Sequence, residues 1–203
     1  GVAGEWLALV RTREVQAICV AQFTQSCGSL ALLNWLPTYF DESLGVPLAD
    51  LPAFTVLPYF IQGIVGIGSG VWADRLLQGG ERSVRSIRRG FQVVGMVGPA
   101  ACLLAAAYAG GGGGGTETRV FAAAFFVDMG LALSALTLAG VSVSHLDVAP
   151  KHAGLIFATG NTCGTLGGLV GVPACGLILE STGQSWEAVF ATISVFYVVG
   201  AAA

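Results

Sequence analysis

Few side chains in this sequence are able to do chemistry, and most of them stand inside apolar stretches. Gln22, Gln25, Ser26 and Ser29 fall at spacings of three and four, which places them on one face of a helix. Asn161 and Thr165 lie beside Gly160, Gly164 and Gly168, small residues that recur every four positions. Asp128 sits about nine residues into an apolar run, roughly 14 Å deep at 1.5 Å per residue. That is near the middle of a hydrocarbon core about 30 Å thick. Amides and hydroxyls in such places either tie helices together or line a polar cavity, and the Gln22–Ser29 stripe fits both. An acid at that depth is a candidate for handling a proton; the alternative is an acid hydrogen-bonded within a helix bundle.

Other chemistries find little support. Cys19, Cys27, Cys102, Cys163 and Cys175 all lie in apolar runs, without a Cys-x-x-Cys or Cys/His ligand spacing, and read as small packing residues. His145 and His152 have no second pair of ligands nearby, so no metal site is expected. No nucleophile–base pair or cofactor motif is visible, which disfavours an enzyme. No resident cofactor is expected, although Na+ or H+ could serve as a coupling ion.

These residues must be positioned by membrane helices. Hydrophobic residues make up 54% of the 203 positions, charged residues only 10%, and the mean hydropathy is +0.76. A soluble domain carries about 25% charged residues. Six apolar segments stand at about 15–40, 53–73, 90–108, 120–143, 153–179 and 186–203. Each is long enough, or nearly so, to cross a bilayer as a helix. With six antiparallel spans, Arg11, Arg13, Arg75, Arg82, Arg85, Arg88, Arg89 and Lys151 fall on one side. The other side has Arg119 with Asp41, Glu42, Asp50, Glu117, Glu180 and Glu187. The basic side is the cytoplasmic one or its organellar equivalent. The chain opens on Gly-Val-Ala and ends within an apolar run, so it is expected to be a piece of a longer protein.

Local features refine this picture. Positions 110–115 are six glycines, expected to be a flexible connector on the non-cytoplasmic side. Trp35, Pro37 and Tyr39 suggest an interfacial aromatic belt. Pro58 is placed to kink the second helix. Gly70, Asp74 and Arg75 precede a link rich in arginine. Asp74 can pair with an Arg or cap a helix, and Arg75, Arg85, Arg88 and Arg89 can clamp carboxylates or helix C-termini. The arginines are too few and too close to the membrane to indicate nucleic acid.

The Gly70–Asp74–Arg75 pattern, followed by basic residues between the second and third helices, resembles the signature loop of the major facilitator superfamily. Several further stretches resemble its anion transporter family, which includes vesicular glutamate transporters, sialin and plant plastid phosphate transporters. They are L-L-N-W-L-P-T-Y-F at 32–40, V-L-P-Y at 56–59, G-V-W-A-D-R-L at 70–76 and S-W-E-A-V-F at 185–190. The most specific is S-H-L-D-V-A-P-K-H-A-G-L-I-F-A-T-G-N-T-C-G-T-L-G-G at 144–168. Gln25 stands where family members often carry Arg or His, and Asp128 stands where the family is not associated with an acid.

The resemblance implies an all-α membrane fold: the C-terminal six-helix half of a twelve-helix transporter, built of two inverted three-helix repeats. It further implies alternating access and a small anionic substrate, inorganic phosphate or an organic anion, driven by Na+, H+ or membrane potential. The partners expected are the lipid bilayer and an N-terminal six-helix half that holds the family's main anion-binding arginines. A plastid or endomembrane location is expected, with the plasma membrane as an alternative. Within that frame Gln22, Gln25 and Asn161 are the cavity candidates and Asp128 the proton-handling candidate. Gly70, Asp74 and Arg75 are the structural gating candidates. The competing class is a six-helix membrane scaffold or partner-binding subunit that moves nothing.

Overall fold

The computed structural model describes residues 2–80, 82–111 and 115–203, and its elements there are helical. A short helix α1 (Val2–Val10) leads into α2 (Arg13–Thr38), which continues as one wide turn over Tyr39–Ser43. Then come α3 (Leu51–Gln78), α4 (Val84–Gly111), α5 (Thr116–Ser134), α6 (Val141–Val148), α7 (Ala153–Thr182) and α8 (Trp186–Ala202). A helix covers most of each expected apolar run, and α3, α4 and α7 extend beyond theirs. Helix α1 was not anticipated. At 9 residues it is about 14 Å long, too short to span.

Four segments are long and apolar enough to cross a membrane: Leu51–Gln78, Val84–Gly110, Glu117–Val148 and Pro150–Thr182. Helix α8 is apolar but has only 17 residues, and α2 is long enough at 26 residues but carries the polar stripe. The fourth expected helix, 120–143, is not continuous. Helix α5 passes into a tighter 3-10 turn at Ala135–Leu138, and the chain restarts as α6 after Gly140. The expected glycine connector is also shorter than its sequence run. Helix α4 runs on to Gly111, and both Nε and Nη2 of Arg119 donate to the Gly110 carbonyl, Nε at 2.7 Å. Positions 112–114 of that run lie outside the described residues.

Helix packing follows the glycines. Between lipid-immersed helices there is no water to drive apolar surfaces together, so close van der Waals approach carries the association. Along α2 and α7 the contacts run in register. Ile18 touches the place of a Gly160 Cβ, Gln22 that of Gly164, Cys27 that of Gly171 and Trp35 that of Gly176. The two helices are therefore parallel. A Cβ on Gly171 would stand 2.5 Å from the Cys27 carbonyl oxygen, and one on Gly167 would run into the Phe23 carbonyl. Cys27 Sγ donates to the Gly167 carbonyl at 3.1 Å, and Trp35 Nε1 to that of Val172 at 2.9 Å. Helix α8 reaches α2 in the same way, with the Tyr197 ring filling the space over Gly28. On α4, Gly95 and Gly98 admit Thr137 and Leu133, from the turn after α5 and from α5 itself.

Tyr39 belongs to the interior, not to a lipid-facing belt. It is 2% exposed and packs on Trp186 and Phe190, with ring centroids at 5.1 and 4.9 Å. The wide turn that ends α2 rotates Tyr39 and Phe40 inward over the end of α8.

Gly171→Val is expected to destabilise the protein by about 1–3 kcal/mol, since the side chain meets backbone that cannot move aside. Gly63→Ala, at a position where a Cβ meets nothing within 4 Å, is expected to be neutral or slightly stabilising. Thermal unfolding of the detergent-solubilised protein, followed by size-exclusion fluorescence, distinguishes the two.

Candidate functional site: a polar node at a broken helix

The break between α5 and α6 gathers several of the polar side chains that the helices carry inward. Ser134 and Thr137 are 2% and 0% exposed. Each hydroxyl donates to a carbonyl three residues back, Ser134 Oγ to Leu131 and Thr137 Oγ1 to Ser134, both at 2.7 Å. Such local bonds favour a tightened turn over a continuing α-helix. Two amides from other helices complete the node. Gln25 Nε2 of α2 donates to Thr137 Oγ1 at 2.5 Å, and Gln62 Nε2 of α3 donates to Ser134 Oγ at 2.9 Å. Gln25 Oε1 is buried and has no hydrogen-bond partner among the described residues. A buried acceptor without a donor is costly, and here it is an amide oxygen free to receive one.

Helix α4 holds the break from the other side. Gln92 Oε1 accepts from Val141 N, the first residue of α6, at 3.2 Å. Arg88 Nη1 donates to the Ala139 carbonyl at 3.0 Å, and Arg88 Nε pairs with Asp147 Oδ2 of α6 at 2.9 Å. One arginine thus satisfies the end of one helical segment and anchors the next. Gly140 has no room for a side chain, because a Cβ would sit 3.0 Å from Gln92 N and Oε1.

The residues singled out from the sequence distribute unevenly around this node. Gln25 is a member of it. Gln22 and Ser26 instead lie against α7, where the Gln22 carbonyl and Ser26 Oγ fill the space at Gly164. The polar stripe therefore divides between two neighbours. Asn161 projects from the exposed side of α7, and no hydrogen bond joins its side chain to Gln22 or Gln25 among the described residues. Asp128 is half-buried on α5, its Oδ1 enclosed and without a hydrogen-bond partner among the described residues. It forms no bond to the node among the described residues. Asp74 and Arg75 are exposed on the last turns of α3, and a Cβ on Gly70 would meet nothing within 4 Å. The clamp expected of the arginines is made by Arg88. His145 stacks on Phe157 with centroids 5.1 Å apart.

Sequence reasoning missed Gln62, Ser134, Thr137, Gln92 and Asp147. One signal was present: Gln62 is a lone amide eleven positions into α3, as costly in lipid as the glutamines of α2.

Apolar helices of spanning length around a hydrogen-bonded polar centre define a polytopic helical membrane protein. No family model matches the chain. Probable anion transporter 7 of Oryza sativa subsp. japonica is 34% identical over 194 residues, covering 91% of this chain and 42% of that protein. Probable anion transporter 6, chloroplastic, of Arabidopsis thaliana is 30% identical over 196 residues, or 96% of this chain and 36% of that protein. A voltage-gated purine nucleotide uniporter of Rattus norvegicus is 31% identical over 190 residues, 94% of this chain and 40% of that protein. The chain belongs to the anion transporter family of the major facilitator superfamily, and it spans less than half the length of the curated relatives it matches.

Arg88→Ala removes the cap on Ala139 and leaves Asp147 without its partner. It is expected to lower stability by about 1–3 kcal/mol. Arg75→Ala, at an exposed position, is expected to stay within about 0.5 kcal/mol of the parent. Thermal midpoints of the two variants in one detergent make the comparison.

Proposed function

We propose that this chain is the C-terminal six-helix half of a secondary transporter of anions working by alternating access. Its spans are α2, α3, α4, α5 with α6, α7 and α8. The placement of nearly all Lys and Arg on one side of such an arrangement supports the count, as does the parallel register of α2 with α7. The relatives' names support anions as the substrate class: two are called anion transporters, and one a purine nucleotide uniporter. Phosphate and organic anions both fall within it, and Na+, H+ or membrane potential would supply the driving force.

The observation that carries the reading at the level of residues is the node that joins α2 and α3 to the broken α5–α6 helix. Transporters of this architecture bind substrate near the midplane, where irregular backbone lines a cavity. Amide donors of Gln25 and Gln62 and the hydroxyls of Ser134 and Thr137 would give such a cavity neutral hydrogen bonds to anionic oxygens. They carry no positive charge, so the counter-charge falls to the complementary half of the protein. Gln22, packed at the α2–α7 contact, would line the same cavity, and the exposed Asn161 would face the complementary half. Asp128, an unpaired acid at membrane depth, would serve proton handling. Gly70, Asp74 and Arg75 would form part of the cytoplasmic gate, outside the substrate site. The chloroplastic relative supports a plastid location, with an endomembrane as the alternative.

The test is uptake of radiolabelled phosphate and of ATP by the full-length protein in proteoliposomes, with and without a membrane potential. Gln25→Ala is expected to raise the apparent KM about tenfold, the loss of roughly 1.4 kcal/mol of hydrogen bonding to substrate. Unaltered KM and maximal rate for every transported anion would remove Gln25 from the cavity.

A further inference from the structure

Two of the five cysteines stand on opposite sides of the α2–α7 contact, beside open space. The α2–α7 register brackets them. Ile18 Cγ2 stands 3.2 Å from the place of a Gly160 Cβ, and the Gln22 carbonyl 3.6 Å from that of Gly164. Cys19, between Ile18 and Gln22, therefore stands level with Cys163, between Gly160 and Gly164, across the α2–α7 contact. Both side chains are partly exposed and are free thiols. They border a cavity of about 720 Å³ that is shared with Trp6, Gln16, Thr159 and Thr162. Helix α1 closes one side of it, where Trp6 Nε1 donates to Thr159 Oγ1 at 3.0 Å. Cys19 is six residues beyond Arg13, about 9 Å from the basic end of α2, within reach of a small neutral oxidant from the aqueous phase.

We propose that Cys19 and Cys163 are a redox modification site, at which hydrogen peroxide joins α2 to α7 by a reversible disulfide. One thiol sulfur attacks a peroxide oxygen and becomes a sulfenic acid, releasing one water. The second sulfur then displaces the hydroxyl as a second water and forms the S–S bond. The two thiols lose two protons and two electrons in all, and one peroxide is reduced to two waters. A thiol reductant reverses the step by exchange. The site is selective by access. Cys27 and Cys175 also lie on α2 and α7, but both are buried and neither lines this cavity. The Cys27 thiol is moreover engaged with the Gly167 carbonyl at 3.1 Å.

The experiment treats the full-length protein in lipid with hydrogen peroxide, alkylates the remaining thiols with N-ethylmaleimide, and maps peptides by mass spectrometry. The expected result is a cross-linked pair of peptides carrying positions 19 and 163, lighter by two hydrogens than the reduced pair. Cys27 and Cys175 remain alkylated, and dithiothreitol restores both thiols. In Cys163→Ser the crosslink is lost and Cys19 becomes a sulfenic acid that a dimedone probe captures. Cys19→Ser gives the corresponding answer from the other helix if the first variant does not fold. Recovery of Cys19 and Cys163 both alkylated after peroxide overturns the proposal, as does crosslinking of either one to a different cysteine.

Discussion

The structure depends on how closely α2 and α7 approach. Two helices in lipid gain nothing from hiding apolar side chains from water, so their association rests on contact area and on the few polar bonds within it. At Gly167 and Gly171 the backbone of α2 occupies the volume that a side chain would need. The consequence is a bonded interface as well as a packed one. The Cys27 thiol and the Trp35 indole both reach carbonyls of α7, which neighbouring side chains would screen in a wider crossing. A similar closeness lets α8 settle on α2 through Gly28 and Gly200, and lets α4 receive the turn after α5 at Gly95.

With that frame set, the polar node is where amides and hydroxyls of several helices come together inside the bundle. Hydrogen bonds between membrane helices contribute only about 0.6 kcal/mol each on average. A single overpacked glycine costs about 1–3 kcal/mol. The node therefore adds little to holding the bundle together, and its polar groups are placed at a cost that packing alone would avoid. The clamp on α4 has a different character. Arg88 and Gln92 satisfy backbone groups that a broken helix leaves open, and without them the break would be far more costly in a water-poor interior.

Much of the helix layout was legible because apolar runs and charge punctuation mark spans directly. The break at Gly140 was not. The residues around it, Ala-Leu-Thr-Leu-Ala-Gly, have the composition of an ordinary membrane helix, and only the carbonyl bonds of Ser134 and Thr137 and the α4 clamp set them apart. The stripe of α2 was visible as a stripe, but its partners were not. Gln25 and Thr137 are 112 positions apart, and helical spacing says which face a residue takes without saying what lies opposite. Among Arg75, Arg85, Arg88 and Arg89, local sequence offered no reason to choose Arg88, because its selection depends on where α6 brings Asp147. Tyr39 read as an interfacial residue because its neighbours are Trp35 and Pro37. The wide turn that buries it is a backbone feature with no clear signature in side-chain type.

The modest apolarity of α2 has a consequence for how the protein is made. Its polar positions find their partners on the turn after α5 and on α7, both of which leave the ribosome more than a hundred residues later. When α2 first meets the bilayer, neither Thr137 nor the glycine face of α7 exists. Its full set of polar contacts is therefore made late, once the turn after α5 and α7 have arrived. The first long helix of this chain in sequence is in that sense among the last to be completed in the membrane.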